Sequence, residues 1–119
     1  MSSGSDAPST LVLADGRTLT LDARGYLADW QSWSEAVATT MATVDQITLE
    51  DAHWRVIHLL REYYGRFEVA PPMRLLVREI GRILGPEAAS SRYLYRLFPQ
   101  GPAKQACRYA GLPKPVSCI

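Results

Sequence analysis

The chain has 119 residues, of which 47% are hydrophobic and 21% are charged, a composition that is typical of one globular domain and excludes wholesale disorder. No apolar run approaches the roughly 20 residues needed to cross a bilayer, and the N-terminal segment lacks the basic start and apolar core of a secretory signal. We therefore expect a cytoplasmic protein without membrane insertion, whose two cysteines stay reduced unless their own chemistry oxidises them.

The formal net charge of +1 conceals an uneven distribution of charge along the chain. Residues 1–70 carry five basic and ten acidic side chains, whereas residues 71–119 carry eight basic and two acidic ones. A cationic half of this kind attracts nucleic acid, an acidic protein or a small oxyanion. A helical face whose charges are merely solvated is the alternative interpretation.

Residues 1–10 are polar and predict a disordered N-terminal tail. After the tail, two short β-prone runs, 11–14 and 18–21, flank Asp15 and Gly16. Asp-Gly between such runs favours a type I′ turn, and this pattern predicts an N-terminal β-hairpin.

Apolar residues at helical spacing predict five helices in the rest of the chain. The first helix has a buried stripe of Trp33, Val37 and Met41, and the second opens with Thr48 and Asp51 as a near capping box. The predicted fold class is thus mainly α, an orthogonal five-helix bundle of the helix-turn-helix type with a small hairpin. The helices are predicted to begin near residues 30–34, 48, 71, 90 and 102, and to end near residues 43, 64, 84, 98 and 110.

A C-terminal arm, residues 111–119, follows the folded domain of residues 11–110. Pro113 and Pro115 prevent a helix there and favour an extended, flexible segment. Gly111 is in the position of a helix cap, and the conformational freedom of glycine also makes it a natural hinge at the base of the arm.

Cys107 and Cys118 are the main chemical signal in the sequence. Cys107 lies in the last turns of the fifth helix among small alanines, where either a buried structural thiol or a reactive thiol is possible. Cys118 is the penultimate residue of an arm with little apolar mass, so it fits a thiol that enters the active sites of other proteins. The arm is long enough to bring Cys118 back to Cys107 or to present it alone.

Three basic residues lie near the cysteines in sequence and are candidate steering groups: Lys104, Arg108 and Lys114. Their positive charge is expected to favour the thiolate of Cys107 and to attract anionic partners. The C-terminal carboxylate beside Cys118 disfavours a second negative charge, which fits a thiol that becomes reactive only after docking.

The sequence predicts neither a metal site nor a cofactor. His53 and His58 lie about 140° apart around a helix, so they do not share a face. Two cysteines without nearby histidines also lack the usual spacing of a zinc site. We expect His53 to be a packing or hydrogen-bonding residue.

The segments 97–107 and 110–115, followed by the penultimate Cys118, resemble the DsrC/TusE family, whose members were once called the gamma subunit of dissimilatory sulfite reductase. The resemblance continues upstream through residues 61–64 and 93–98, and it covers nearly all of the chain beyond the tail. It implies a sulfurtransferase that acts as a sulfur carrier and holds sulfur as a persulfide on Cys118.

In the dissimilatory branch of that family a second cysteine, here Cys107, closes a disulfide or a trisulfide with the first. In the TusE branch, which relays sulfur toward 2-thiouridine in tRNA, the second cysteine is usually absent. Cys107 therefore favours a role in dissimilatory sulfite or sulfide metabolism. The ending Val116-Ser117-Cys118-Ile119 looks closer to TusE endings, which makes a TusE-like relay the alternative.

We expect a monomer that docks transiently on its partners, because the sequence has no large uncovered apolar stripe. The implied donor is a sulfurtransferase complex of the DsrEFH or TusBCD kind, and the implied acceptor is a sulfite reductase, a heterodisulfide-reductase-like enzyme or a tRNA-thiolation enzyme. A regulatory module that binds DNA weakly through the cationic helices is another alternative. A purely structural protein is the third, and it differs from a carrier in losing stability when the arm is removed.

Overall fold

The computed structural model describes residues 9–115, and within that range it shows a mainly α-helical bundle with an N-terminal β-hairpin. The number and the order of the α-helices agree with the sequence prediction. The helices are α1 (Glu35–Val44), α2 (Asp51–Phe67), α3 (Met73–Leu84), α4 (Ser91–Leu97) and α5 (Pro102–Tyr109). Short 3₁₀ turns precede α1 and α4, at Trp30–Ser32 and Pro86–Ala88.

The hairpin consists of two antiparallel strands, β1 (Ser9–Val12) and β2 (Thr18–Leu21), with Ser9 opposite Leu21. β1 thus includes the last two residues of the segment predicted as a disordered tail. Residues 1–8, the rest of that segment, lie outside the described range.

The turn of the hairpin differs from the predicted type I′ turn. Gly16 has a positive φ of 91°, whereas Asp15 does not. The Gly16 N–H donates to the Leu13 carbonyl at 2.9 Å and the Leu13 N–H donates to the Arg17 carbonyl at 2.8 Å. This is the pattern of a type I turn followed by a glycine bulge, which needs positive φ only at the glycine.

The first predicted helix divides into two elements. Trp30–Ser32 forms a single 3₁₀ turn, Trp33 returns to extended backbone with ψ of 145°, and Ser34 precedes α1. Trp33, the first residue of the predicted stripe, therefore lies outside α1, whereas Val37 and Met41 lie on α1 and are buried.

α2 begins at Asp51, later than the predicted start at residue 48, because its capping residues are Glu50 and His53. Nδ1 of His53 accepts a hydrogen bond from the Glu50 N–H at 3.0 Å. The proton of the neutral ring is therefore on Nε2, which donates to the Leu97 carbonyl at 2.9 Å. His53 joins α2 to the end of α4, as expected of a hydrogen-bonding residue.

α5 lies within the core and packs against α1, α2 and α4. Five of its eight residues are buried, although the helix is short. This position encloses the side chain of Cys107 among apolar neighbours.

None of the helices within residues 9–115 is long and apolar enough to cross a membrane. The core includes the fully buried side chains of Val37, Val56, Ile57, Leu60, Leu94, Phe98, Tyr109 and Leu112.

Candidate functional site

Cys107 lies on a buried side of α5, with 1% of its surface exposed. This burial raises the pKa of its thiol to about 12, because a thiolate at this position would lose its hydration. At neutral pH the group is a protonated and shielded thiol, which is a weak nucleophile. The expectation that nearby basic residues favour a Cys107 thiolate is therefore wrong for this conformation.

Arg108 follows Cys107 in the sequence, but its charge is paired elsewhere. Its Nη2 donates to Oδ2 of Asp45 at 2.6 Å and to Oε1 of Gln100 at 3.2 Å. The hydroxyl of Tyr109 donates to the same Asp45 oxygen at 2.6 Å. Arg108 thus ties α5 to the connection between α1 and α2, and its steering role stays a prediction.

The Asp45 carboxylate is the centre of this polar network. Its burial raises its pKa, but the hydrogen bond from Tyr109 and the charge of Arg108 outweigh that effect, so the pKa lies below its usual value. Burial and the hydrogen bond to Asp45 raise the pKa of Tyr109. Gln105 completes the network by donating from Nε2 to the Tyr109 hydroxyl at 3.0 Å. The network fixes the helix that carries Cys107.

Lys104 and Lys114 are exposed, in contrast to Arg108. Neither lysine has an ion-pair partner among residues 9–115. Lys104 borders a surface cleft of about 210 Å³ that Met73 and Tyr95 also line. Both lysines are accessible to an anionic partner, and their steering role stays a prediction.

The C-terminal end of α5 is closed by a Schellman motif. The Gly111 N–H donates to the Arg108 carbonyl at 3.1 Å and the Leu112 N–H donates to the Cys107 carbonyl at 3.0 Å. Gly111 has a φ of 72°, and a Cβ there would lie 2.5 Å from Cδ1 of Trp33. Leu112 is fully buried. Gly111 is thus an enclosed cap, and this corrects its assignment as a hinge, because the base of the arm lies after Leu112.

Two residues from distant parts of the chain bind the next carbonyls of this helix end. Nε1 of Trp33 donates to the Tyr109 carbonyl at 2.8 Å, and Nη1 of Arg61 donates to the Ala110 carbonyl at 2.8 Å. We call Trp33 and Arg61 the arm clamp. Neither residue is predicted from the sequence to have a role at the site, since the bonded pairs are 76 and 49 residues apart and no local pattern links them.

Cys118, the predicted sulfur acceptor, lies outside the described residues, and so does its predicted bond to Cys107. Within residues 9–115, no group of His, Cys, Asp and Glu side chains is arranged to hold a metal ion. Nε2 of His58 lies 3.2 Å from Oε2 of Glu35. The ring of His53 is bonded elsewhere, to the Glu50 N–H and to the Leu97 carbonyl. The described site therefore encloses one thiol and fixes the point at which the arm begins.

Comparison with known proteins places these features in a family. A family model described as DsrC like protein matches residues 13–119. The chain is 49% identical over 109 residues to a protein of Photorhabdus laumondii named sulfurtransferase TusE, and the match covers 92% of this chain and 98% of that protein. It is 50% identical over 105 residues to the sulfurtransferase TusE of Sodalis glossinidius, with 88% and 97% of the two chains covered.

Solved structures show the same architecture. The NMR structure of DsrC from Allochromatium vinosum aligns with a TM-score of 0.83 at 46% identity, over 94% of this chain and 99% of that one. The crystal structure of the oxidized gamma subunit of dissimilatory sulfite reductase (DsrC) from Archaeoglobus fulgidus aligns with a TM-score of 0.85 at 43% identity, over 93% and 100%. These alignments confirm the predicted fold class.

Proposed function

Because this chain belongs to the DsrC-like family, we propose that it is a cytoplasmic sulfur carrier that takes up sulfur as a persulfide on Cys118. The observation that carries the proposal is the extent of the family match, which runs through residue 119 and so includes the penultimate cysteine. Relatives at 49% and 50% identity are named sulfurtransferases, which supports a role in sulfur transfer.

Sulfur uptake in this proposal is a thiol exchange reaction. The Cys118 thiolate attacks the outer sulfur of a donor persulfide, a new S–S bond forms at Cys118, and the S–S bond of the donor breaks. The donor leaves as a thiolate and Cys118 keeps the persulfide, so the step needs no oxidant or reductant. An acceptor thiolate then takes the outer sulfur from Cys118 by the same reaction.

The enclosure of Cys107 favours a relay in which Cys118 works alone. A Cys107–Cys118 disulfide or trisulfide needs the sulfur of Cys107 at the surface, but its side chain is 1% exposed and its pKa is about 12. α5 would have to open before such a bond could form, and buried contacts would be lost. A relay through one cysteine is the form implied by a resemblance to the TusE branch.

The TusE-like alternative, a sulfur relay toward 2-thiouridine in tRNA, is our preferred form of the proposal in place of the dissimilatory role expected first. Relatives with the TusE name match at 46% to 50% identity, and the shielded Cys107 weakens the main reason for the dissimilatory assignment. The donor is then a TusBCD-like complex and the acceptor a tRNA-thiolation enzyme. A sulfite reductase remains the second candidate partner, because DsrC structures match at 43% and 46% identity.

The carrier proposal is tested by the intact mass of the protein after exposure to a persulfide donor. We expect a reducible gain of one sulfur atom in the wild type and in Cys107→Ala, and no gain in Cys118→Ala. Cys107→Ala is the matched control, since it also removes one thiol. Uptake on Cys107 alone, or no uptake by the wild type, would contradict the proposal.

The choice between the two branches needs a cellular assay. In a bacterial strain that lacks TusE, we expect the wild type and Cys107→Ala to restore 2-thiouridine in tRNA, and Cys118→Ala to fail. If the wild type fails to restore it although it takes up sulfur in vitro, the TusE-like assignment is wrong and the carrier proposal stands.

DNA binding stays a separate prediction that rests on the cationic helices. Arg92 and Arg96 on α4 are exposed and have no ion-pair partner among residues 9–115, so they can contact phosphate. A mobility-shift assay on the chain with Cys107→Ala and Cys118→Ala tests this role, because it needs neither thiol. Salt-sensitive, sequence-selective binding would support it, and no binding would leave these cations as a solvated face.

A further inference from the structure

We infer that the arm clamp, Trp33 and Arg61, consists of positioning residues that fix where the C-terminal arm leaves the body. Each of the four carbonyls of residues 107–110 accepts a hydrogen bond. The first two bonds come from the backbone of the Schellman motif and are local. The other two come from the clamp, and they tie this turn to α2 and to the segment ahead of α1.

The clamp is itself held in place. Nη1 of Arg61 also donates to the Trp30 carbonyl at 3.1 Å, and the guanidinium carbon lies 5.1 Å from the Trp30 ring and 4.4 Å from the Trp33 ring. Trp30 in turn packs edge-on against Tyr64, with ring centroids 5.1 Å apart. The two rings and the negative end of the α5 dipole favour a cation at this position, and they oppose the burial that lowers the pKa of Arg61. Nη1 of Arg61 is thus held between the carbonyls of Trp30 and Ala110.

The clamp reaches the arm through the next two residues. The Trp33 ring occupies the space that a side chain at Gly111 would need, and Leu112 is fully buried. Cys118 is six residues beyond Leu112, a span of roughly 20 Å at full extension. Fixing the turn therefore limits the directions from which the thiol can approach a partner. The importance of this for sulfur transfer rests on the proposed function.

The direction of the arm can be measured between two spin labels in the full-length chain. The labels are attached at Lys114→Cys on the described arm and at Arg78→Cys on the exposed side of α3, in a background with Cys107→Ala and Cys118→Ser. Pulsed electron paramagnetic resonance then gives the distribution of distances between the labels. This measurement does not depend on the identity of a partner or on sulfur uptake.

Two substitutions remove the donors of the clamp and keep most of its volume. Trp33→Phe keeps an aromatic ring without the indole N–H, and Arg61→Met keeps an unbranched side chain without the guanidinium. We expect each to broaden the distance distribution and to speed exchange of the Leu112 amide hydrogen by about tenfold, as the loss of one buried hydrogen bond predicts. Arg61→Lys keeps a charged donor and is expected to restore part of the wild-type distribution.

The matched controls are Trp54→Phe and Arg55→Met on α2, because no described hydrogen bond joins either residue to α5. We expect wild-type distributions and exchange rates in both controls. The rate at which iodoacetamide alkylates Cys118 is measured in chains without the labels and with Cys118 intact. This rate should be equal in the clamp variants and the control variants. Unchanged distributions in both clamp variants, or equal broadening in the controls, would overturn the inference. A failure of sulfur uptake would count against the proposed function alone.

Discussion

Cys107 is followed directly by Arg108, and yet its pKa is raised to about 12. The guanidinium of Arg108 is paired with Asp45, so its charge is already compensated, while burial removes the water that would stabilise a thiolate. Residue chemistry at this site is thus decided by tertiary packing, and position in the sequence is a poor guide to it.

The raised pKa of Cys107 predicts a loss of stability at alkaline pH. The unfolded thiol ionises from its ordinary pKa of 9.0 upward, whereas the folded thiol stays protonated up to about 12. The free energy of unfolding should therefore fall by about 1 kcal/mol between about pH 9 and pH 10 because of this group. Denaturant titrations measure it, and the difference from Cys107→Ala isolates it from Tyr109, whose raised pKa acts in the same direction. An equal pH dependence in Cys107→Ala would contradict the prediction.

The lowered pKa of Asp45 predicts the opposite pH dependence at acid pH. A carboxyl whose folded pKa is depressed contributes stability above its unfolded pKa, and that contribution is lost as the pH falls through the folded value. Asp45→Asn should destabilise the protein at neutral pH by about 1–3 kcal/mol, since Arg108 and Tyr109 lose a charged acceptor. The difference in the free energy of unfolding between Asp45→Asn and the wild type should shrink as the pH falls from about 6 to about 3. Thermal unfolding at both pH values tests this, and a constant difference would contradict it.

At the scale of the elements, the helix ends carry the contacts that position the site. α5 has eight residues, too few to be stable alone. Gly111 and Leu112 provide its local cap, and the arm clamp binds the remaining carbonyls of residues 109–110. The short helix therefore depends on groups from α2 and from the segment before α1.

The enclosed cap predicts that Gly111→Ala is more damaging than a glycine substitution of similar φ at an open position. Gly111 combines a φ of 72° with a Cβ position 2.5 Å from Trp33, whereas Gly16 has a φ of 91° and open space around it. We expect Gly16→Ala to cost about 1–2 kcal/mol, and Gly111→Ala to cost about 2–4 kcal/mol because the Trp33 ring must move. Denaturant unfolding compares the two, and equal losses would show that the cap is not tightly packed.

At the scale of the whole molecule, the arm and the body are less separate than the predicted boundary at residue 111 implies. Gly111, Leu112 and Pro115 are buried, while Pro113 and Lys114 are exposed. The beginning of the arm therefore belongs to the body. The expectation that a carrier tolerates removal of its arm without loss of stability does not apply to this part of the segment.

Truncation separates the structural role of the arm from its role in transfer. Removing residues 111–119 should lower the free energy of unfolding by about 2–4 kcal/mol, because Leu112 loses its burial and α5 loses its cap. Cys118→Ser keeps the whole arm, so its stability should equal that of the wild type while sulfur uptake is lost. Calorimetry with the mass assay tests both. A truncated chain as stable as the wild type would show that Leu112 contributes little to the core.

Local patterns were sufficient for most of the fold, because helix periodicity, proline starts and glycine stops are encoded over a few residues. Local patterns failed where the sequence offers a second candidate residue close to the observed start of a helix. Trp33 has helical spacing to Val37 yet lies outside α1, and Glu50 instead of Thr48 caps α2. Both errors concern helix ends, where tertiary contacts choose among several possible starts.

The sequence by itself determined the helical bundle with its hairpin and the resemblance to a sulfur-carrier family, since these depend on local spacing and on a distinctive C-terminal segment. The tertiary structure decided the state of Cys107, the pairing of Arg108 with Asp45 and the contacts of the arm clamp with α5. Burial and hydrogen bonding between residues 49 to 76 positions apart depend on how the helices pack, and no local pattern contains that information.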